Sequence, residues 1–200
     1  MDAYHIALFL HVVTLIVAAS ATAVTKLAVG RRIRARTVRE ALEWHDLLVS
    51  TSKLFPICLA AFLATGAYMV SVTGGRAWLA GFVIAGLVGV TLLLGSGTYL
   101  GIKAKGLGEV LASISSNTPD VAPPRVAPPP LVAMLPIVNT GIALAVVFDM
   151  VTKPASAVMA LAVLGVGIGV SALVAWRQRP RADYGSAQAA RSRAYSARVS

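Results

Sequence analysis

The sequence predicts an all-α fold, a polytopic bundle of transmembrane helices. Of the 200 residues, 57% are hydrophobic and 13% are charged, and the mean hydropathy is +0.77. Soluble domains of this size are far less apolar. A helix needs roughly 20 apolar residues to cross about 30 Å of hydrocarbon, and several stretches reach that length. We therefore predict five transmembrane helices, at residues 4–25, 50–72, 78–102, 131–150 and 155–176.

The segments between these helices divide the chain into four parts. Residues 1–109 hold the first three helices and a loop, 26–49, whose helix-forming residues extend the second helix. Residues 110–130, "VLASISSNTPDVAPPRVAPPP", predict an extended linker because prolines exclude a regular helix. Residues 131–176 hold the last two helices. Residues 177–200 are basic and lack apolar periodicity, which predicts a disordered tail.

The positions of the basic residues explain the net charge of +10. They follow the first, third and fifth helices: Arg31, Arg32, Arg34, Arg36 and Arg39, then Lys103, Lys105 and Arg125, then six arginines within 177–198. Because basic residues concentrate in cytoplasmic loops, we predict that the N-terminus lies outside and the C-terminus in the cytoplasm. We attribute the positive charge to the orientation of the chain in the membrane and to contact with anionic lipids of the bilayer. We expect no nucleic-acid partner.

The first apolar segment is predicted to remain a helix rather than to be a cleaved signal peptide. The alternative rests on the small residues of "ASATA", which a signal peptidase prefers. The start "MDAYH" lacks the basic residues of a signal peptide, and the arginines after the apolar run resist translocation.

Two pairs of glycines are spaced for close packing of helices. Gly97 and Gly101 form a G-x-x-x-G pair in the third predicted helix, and Gly165 and Gly169 form another in the fifth. Small residues let helix backbones approach closely within a membrane. The pairs predict packing contacts, either within the chain or with other membrane subunits.

A histidine inside the first predicted helix is the main candidate for a functional side chain. Small and hydroxyl residues share its helical stripe, which is formed by Tyr4, Ala7, His11, Thr14, Ala18, Ala21 and Thr25. Such a stripe predicts that His11 faces the bundle, because an ionisable group is costly in lipid. The simplest interpretation is a hydrogen bond inside the bundle, to Asn139, Thr91 or Asp149. A proton-relay or substrate-binding role stays open.

Metal or haem binding is an alternative role for this histidine. His5, His11, Met69 and Met150 are all predicted near the outer side, and imidazole and thioether are ligands that suit Cu(I). Haem bound by two histidines would need a second one at similar depth, but His45 is predicted on the cytoplasmic side. Haem therefore requires His11 with a different axial partner.

Four short motifs carry a family resemblance over residues 1–154. "LFLHVV", "ATGAYMV" followed closely by Trp78, "GTYLGIKAK" and "FDMVTKP" resemble a family of bacterial predicted integral membrane proteins, domain of unknown function 2269. The resemblance implies a protein of the bacterial inner (plasma) membrane with a four-helix membrane unit, to which this chain adds a fifth, C-terminal transmembrane helix. It implies His11 as the first-helix histidine, and Asp149, Lys153 and Pro154 as the closing motif.

The same family is remotely similar to copper-resistance protein D and to the bacterial membrane protoporphyrinogen oxidase. That relation implies copper or haem as the cofactor to consider. The chain departs from the family pattern in the first helix, where Ala18, Ala19 and Ser20 replace glycines that often follow the histidine.

The catalytic motifs that the sequence lacks narrow the possible functions. The sequence holds no P-loop, nucleophile elbow, dinucleotide fingerprint or HExxH motif. We therefore predict a non-enzymatic accessory or scaffold subunit of a membrane complex. The alternative is a copper-handling or haem-binding protein that uses His11, and transport of a small solute is the third hypothesis.

Overall fold

The computed structural model describes residues 2–118, 120–123, 129–154 and 156–178. Helix makes up 89% of the structure, and no strand occurs in those ranges, which confirms the predicted all-α class. The chain forms α1 (Ala3–Arg34), α2 (Val38–Ser52), α3 (Leu54–Val72), α4 (Gly81–Asn117), α5 (Pro130–Thr152) and α6 (Ala157–Arg177), with a short 3-10 turn at Gly75–Leu79.

Five helical segments are long and apolar enough to cross a membrane, as predicted. They are Ala3–Arg34, Val38–Val72, Gly81–Ser116, Pro130–Thr152 and Ala157–Arg177. In the most apolar window of each segment, only 11% to 22% of the residues are buried inside the chain. Most of the apolar surface of these helices therefore faces away from the chain, toward lipid or other subunits.

The segment predicted as one extended second helix runs from Val38 to Val72, with the single turn residue Lys53 between α2 and α3. α1 continues to Arg34, and α2 begins after Thr37, whose Oγ1 accepts a hydrogen bond from the backbone N–H of Glu40 at 3.1 Å. α2 carries charged residues and ends at Ser52, and the apolar α3 follows Lys53. Pro56 explains the break, because it has no N–H to donate to the carbonyl four residues earlier.

The third predicted helix is longer than its apolar stretch. α4 ends at Asn117, so the first eight residues of the segment predicted as a 110–130 linker are helical. Pro119 is the first proline of that segment, and nothing before it breaks a helix. Residues 119 and 124–128 of the predicted linker, and the predicted tail from residue 179 onward, lie outside the described residues.

The helices form two groups. α1 packs against α3 and α2, while α4, α5 and α6 pack against one another. α2 joins the groups by packing against α4, and the 3-10 turn contacts α3 and α4 at the other end. The core of the second group is built by Ile142, Ala145, Val146 and Leu164, and a smaller core between α2 and α4 by Val38, Ala41 and Leu111.

Basic residues collect at one end of the bundle, which we call the arginine-rich end. It holds the last turn of α1 with Arg31, Arg32 and Arg34, the start of α2, and the ends of α4 and α6. α3 begins after the 15 residues of α2, about 22 Å along the helix from this end. It is the end at which the sequence predicts the cytoplasm.

Candidate functional site

His11 lies between α1 and α3. Its Nδ1 is 2.8 Å from Oγ1 of Thr65, and its ring centroid is 3.9 Å from that of Phe62. A Cβ at Gly66 would lie 3.6 Å from Cε1 of the same imidazole. Ala7 and Ala21, one and three turns away on the predicted stripe, are buried. The histidine therefore faces a neighbouring helix, as the stripe predicts.

The hydrogen bonds of Thr65 favour one tautomer of this imidazole. The Thr65 hydroxyl has one proton, and its Oγ1 lies 2.7 Å from the carbonyl oxygen of Ala61, which can only accept. When the proton is donated there, Thr65 Oγ1 accepts from Nδ1–H of His11, and the lone pair of the neutral imidazole lies on Nε2. Metal-ligating histidines commonly hold their second ring N–H in this way.

The predicted partners of His11 are wrong, because the helices that carry them pack elsewhere. Asn139 Oδ1 accepts from the Ser96 hydroxyl at 2.8 Å, between α5 and α4. Thr91 donates to the carbonyl of Leu87 on its own helix. The hydrogen-bond partner of His11 is instead Thr65, on α3.

The four residues predicted for copper lie in different surroundings. His5 is exposed, and its Nδ1 is 3.9 Å from Oδ2 of Asp2. Met69 is half-buried on α3, one turn from Thr65 and on the same helical face. Met150 packs with the core of α4, α5 and α6, its Cε against Gly86. Of the three, only Met69 shares a helix face with the residues that contact His11.

A larger ligand cluster does not form around these residues. Within the described ranges, no group of three or more His, Cys, Asp or Glu side chains could hold a metal ion. His45 lies on α2 at the arginine-rich end, far along the bundle from His11. The described histidines therefore do not form a bis-histidine haem site.

The closing motif of the predicted family forms the end of α5. Lys153 ends the helix in the left-handed conformation, with φ of 45°, and its N–H donates to the carbonyl of Asp149 at 2.8 Å. Pro154 follows and is buried. The Asp149 side chain is fully buried, and neither carboxylate oxygen has a hydrogen-bond partner among the residues that the structure describes.

The predicted glycine pairs have no neighbour within the described chain. At Gly97, Gly101, Gly165 and Gly169, a Cβ would meet nothing within 4 Å among the described residues. The glycines that permit close contact are different ones. Gly81 lies against the backbone of Ser156 and Ala157, and Gly167 against Ala145 and Gly141.

Sequence reasoning missed a buried polar contact at the arginine-rich end. His45 is 3% exposed, its Nδ1 is 3.2 Å from Nη1 of Arg32, and its ring lies against the backbone of Gly108. Burial and the neighbouring Arg32 guanidinium lower the pKa of His45, and Asp46 opposes that shift. A histidine on the apolar face of α2, beside Val38, Ala41 and Leu48, was the available signal.

A second missed contact joins the two helix groups inside the span. Nζ of Lys26, on α1, donates to Oγ1 of Thr140, on α5, at 2.7 Å. Thr140 in turn donates to the carbonyl of Pro136 at 2.9 Å. In the sequence, a lysine directly after the predicted end of the first span could have indicated a polar contact between helices.

The comparisons with known proteins give no relative for this chain. No protein-family model, no curated protein and no solved structure matches it. The resemblance carried by the four motifs stays a prediction.

Proposed function

We propose that this membrane protein is a non-enzymatic accessory or scaffold subunit of a larger complex in a bacterial inner membrane. The observation that carries the proposal is the open surface at the two glycine pairs. Gly97 and Gly101 on α4, and Gly165 and Gly169 on α6, have space for another helix at contact distance. Since lipid gives no hydrophobic drive between helices, such small-residue surfaces are where membrane helices associate.

The proposed orientation has the arginine-rich end in the cytoplasm. Arg31, Arg32 and Arg34 end α1 there, and Lys103 and Lys105 lie on α4 beyond its apolar part. Basic residues within the turns that flank a span determine its orientation. The N-terminus of α1 is then outside the cell.

Affinity purification followed by mass spectrometry tests the proposed role. We expect the chain, extracted in mild detergent, to carry at least one different membrane polypeptide in fixed stoichiometry. The double variant Gly165→Leu/Gly169→Leu should lose that polypeptide and still fold, because the described chain leaves space at both positions. A clean monomer, or a complex of identical copies alone, would contradict the proposal.

Gly30→Leu is the matched control. Gly30 also has nothing within 4 Å in the described chain, but it lies on α1, away from both glycine pairs. It should retain the partner polypeptide. Loss of the partner in this control would show that added bulk alone disrupts the complex, which would contradict a role for the α6 surface.

The second candidate is a copper-handling or haem-binding protein, and the His11 tautomer favours it. In the tautomer that Thr65 favours, Nδ1–H is donated to Thr65 and Nε2 carries the free lone pair. His11 would hold the metal through Nε2, with Met69 as the thioether on the adjacent helix face. The described residues fit one imidazole ligand and not a complete set of four.

Metal analysis and a visible absorption spectrum test this second candidate. We expect bound copper or a haem band in the wild type and neither in His11→Ala. His5→Ala is the control, because His5 is exposed and pairs with Asp2. A colourless and metal-free wild-type protein would contradict the candidate.

A further inference from the structure

An apolar groove of about 560 Å³ runs between α5 and α6 on the outside of the bundle. Small residues line its middle, because the backbones of α5 and α6 approach closely at Gly141 and Gly167. Exposed apolar side chains form its sides, namely Leu144, Phe148, Val166, Val170 and Val174. Small residues between two ridges of larger side chains make a surface on which a further helix is able to pack.

The groove is long enough for contact with such a helix. It follows α5 from Ile137 to Phe148 for about 16 Å, and α6 from Val163 to Val174 for about the same length. This length corresponds to about three helical turns. The groove therefore extends through the middle of the span.

One cation borders the groove near the middle of the bilayer. Nζ of Lys26 donates to Oγ1 of Thr140 at 2.7 Å, and both residues line the groove. Thr140 lies ten residues after Pro130 and twelve before Thr152, so it is about 15 Å from the start of α5 and about 18 Å from its end. Half of a hydrocarbon core of about 30 Å is a similar distance, so phospholipid headgroups lie out of reach of this ammonium.

The charge of Lys26 has no counter-charge in the described part of the chain. Lys26 is exposed, and no carboxylate pairs with it among the residues that the structure describes. An ammonium has three N–H donors, and Thr140 accepts one of them. A cation at this depth is costly unless another group compensates it, and ionisable residues within membranes commonly pair with one another.

A second copy of this chain does not supply the missing carboxylate. The apolar stretches 4–25, 50–72, 78–102, 131–150 and 155–176 contain one acidic residue, Asp149. Its side chain is fully buried, and it lies nine residues beyond Thr140 on α5, about 14 Å further along the helix. The counter-charge for Lys26 therefore has to come from a different molecule.

We propose that the groove binds a transmembrane helix of another polypeptide, whose carboxylate at mid-membrane depth pairs with Lys26. This inference rests on the proposed subunit role, to which it adds the chemistry of the partner. The carboxylate accepts from the N–H groups of Lys26 that Thr140 leaves free, while apolar side chains of the partner pack between the two sides of the groove. A fatty acid does not fit this position, because its carboxylate belongs at the membrane surface, about 15 Å away.

This helix-binding groove is separate from the glycine pair on α6. On that helix the groove is formed by Val163, Gly167, Val170 and Val174, at an average of roughly 150° around the helix from Gly165 and Gly169. The two surfaces therefore lie on opposite faces of α6, and either is able to be occupied while the other is empty.

Binding of designed transmembrane peptides to the full chain in phosphatidylcholine vesicles tests the inference. One peptide has about 20 leucine and alanine residues with a glutamate at its centre, and the matched peptide has glutamine there. Because the glutamate is central, its depth is the same in either orientation of the peptide. Energy transfer between a dye on the peptide and a dye at the C-terminus of the chain measures binding. We expect the wild type to bind the glutamate peptide about tenfold more tightly than the glutamine peptide, the equivalent of about 1.4 kcal/mol.

Variants of Lys26 test whether its ammonium causes this preference. Lys26→Met should bind the two peptides equally. Lys26→Glu should instead prefer a peptide with a central lysine, and such a reversal does not arise from a general loss of folding. Lys53→Met removes an exposed lysine outside the groove and should keep the wild-type preference.

A second pair of variants tests the apolar part of the groove without changing charge. Val170→Trp fills the groove at a residue that is 58% exposed, and should weaken binding of the glutamate peptide. Leu173→Trp, also exposed on α6 but outside the groove, should leave that binding unchanged.

The outcomes that overturn this inference differ from those that contradict the subunit role. Equal binding of the two peptides by the wild type, or an unchanged preference in Lys26→Met, would overturn the inference. Displacement of the glutamate peptide by a free fatty acid, in the wild type and not in Lys26→Met, would assign the groove to a lipid and would also overturn it. A stoichiometric polypeptide that co-purifies with a chain unable to discriminate the peptides would leave the subunit role intact. A clean monomer that discriminates them would contradict the subunit role alone.

Discussion

Nδ1 of His11 lies 2.8 Å from the hydroxyl oxygen of Thr65, and this hydrogen bond joins α1 to α3. Phe62 covers the same ring from one turn earlier on α3. The bond fixes the rotation of the imidazole and turns Nε2 away from Thr65. It is thus both a link between helices and the element that would orient a ligand on Nε2.

We expect Thr65→Val to weaken the contact between α1 and α3. It keeps the shape of the side chain and removes the acceptor, so the free energy of unfolding should fall by about 0.6 kcal/mol, the mean for hydrogen bonds between membrane helices. Unfolding in mixed micelles by a denaturing detergent measures the change. Thr65→Ser keeps the hydroxyl, so its free energy of unfolding should fall by less. Equal losses in both variants would indicate that Thr65 acts by packing and that its hydroxyl contributes nothing.

We predict that removing the carboxylate of Asp149 stabilises the chain. Its side chain is fully buried, and its oxygens have no partner among the described residues. Replacing a buried, unsatisfied polar group with an apolar group of similar shape removes a penalty of about 1–3 kcal/mol. Asp149→Leu should therefore raise the free energy of unfolding, with Asp149→Asn between it and the wild type. Destabilisation by both variants would show that the carboxylate binds a group that compensates it.

The number of membrane spans was predictable from the sequence because it depends on local composition. Apolar length alone located all five spans. The break between α2 and α3 was also accessible, since Pro56 removes the N–H that a continuous helix needs there. The predicted start of the linker is wrong by eight residues, because its prolines begin only at Pro119 and nothing before Pro119 ends a helix.

The contacts between helices were not predictable in the same way. His11 bonds to Thr65 because α1 packs on α3, and no feature within α1 specifies which helix is its neighbour. The glycine pairs likewise do not specify which helices contact each other. Gly97 and Gly165 have the G-x-x-x-G spacing, yet the close contact within the chain is formed by Gly141 and Gly167. These two glycines stand four residues before Ala145 and Ser171, which is the broader small-x-x-x-small pattern.

We predict that acidification loosens the docking of α2 through His45. Burial and Arg32 lower the pKa of His45 below its ordinary value near 6.5, so the folded chain holds this imidazole neutral. The unfolded chain binds the proton more readily, and the free energy of unfolding therefore falls as the pH drops below about 6.5. Gly108, on the α4 side of the ring, contributes no charge that would compensate the protonated form.

Hydrogen exchange at pH 7.5 and pH 5.5, corrected for intrinsic rates, measures this effect on the amides of Val38–Ser52. Wild-type protection should fall at the lower pH, and His45→Gln should remove most of that dependence because glutamine does not titrate. His5→Gln is the matched control, since His5 is exposed and should not alter α2. An unchanged pH dependence in His45→Gln would contradict the assignment to this residue.

Because α4 lies close to α2, we predict that alanine at two glycines of α4 changes the free energy of unfolding in opposite directions. A Cβ at Gly108 would collide with Nε2 and Cδ2 of His45, whose ring is buried and is hydrogen-bonded to Arg32. Gly108→Ala should therefore reduce the free energy of unfolding by about 1–3 kcal/mol through overpacking. At Gly106 a Cβ would meet nothing within 4 Å in the described chain, so Gly106→Ala should stabilise α4 by about 0.5–1 kcal/mol through helix propensity. The same detergent unfolding assay measures both, and the double variant Gly108→Ala/His45→Ala should recover most of the loss. If Gly108→Ala proves as stabilising as Gly106→Ala, the ring of His45 does not pack between α2 and α4 as the structure shows.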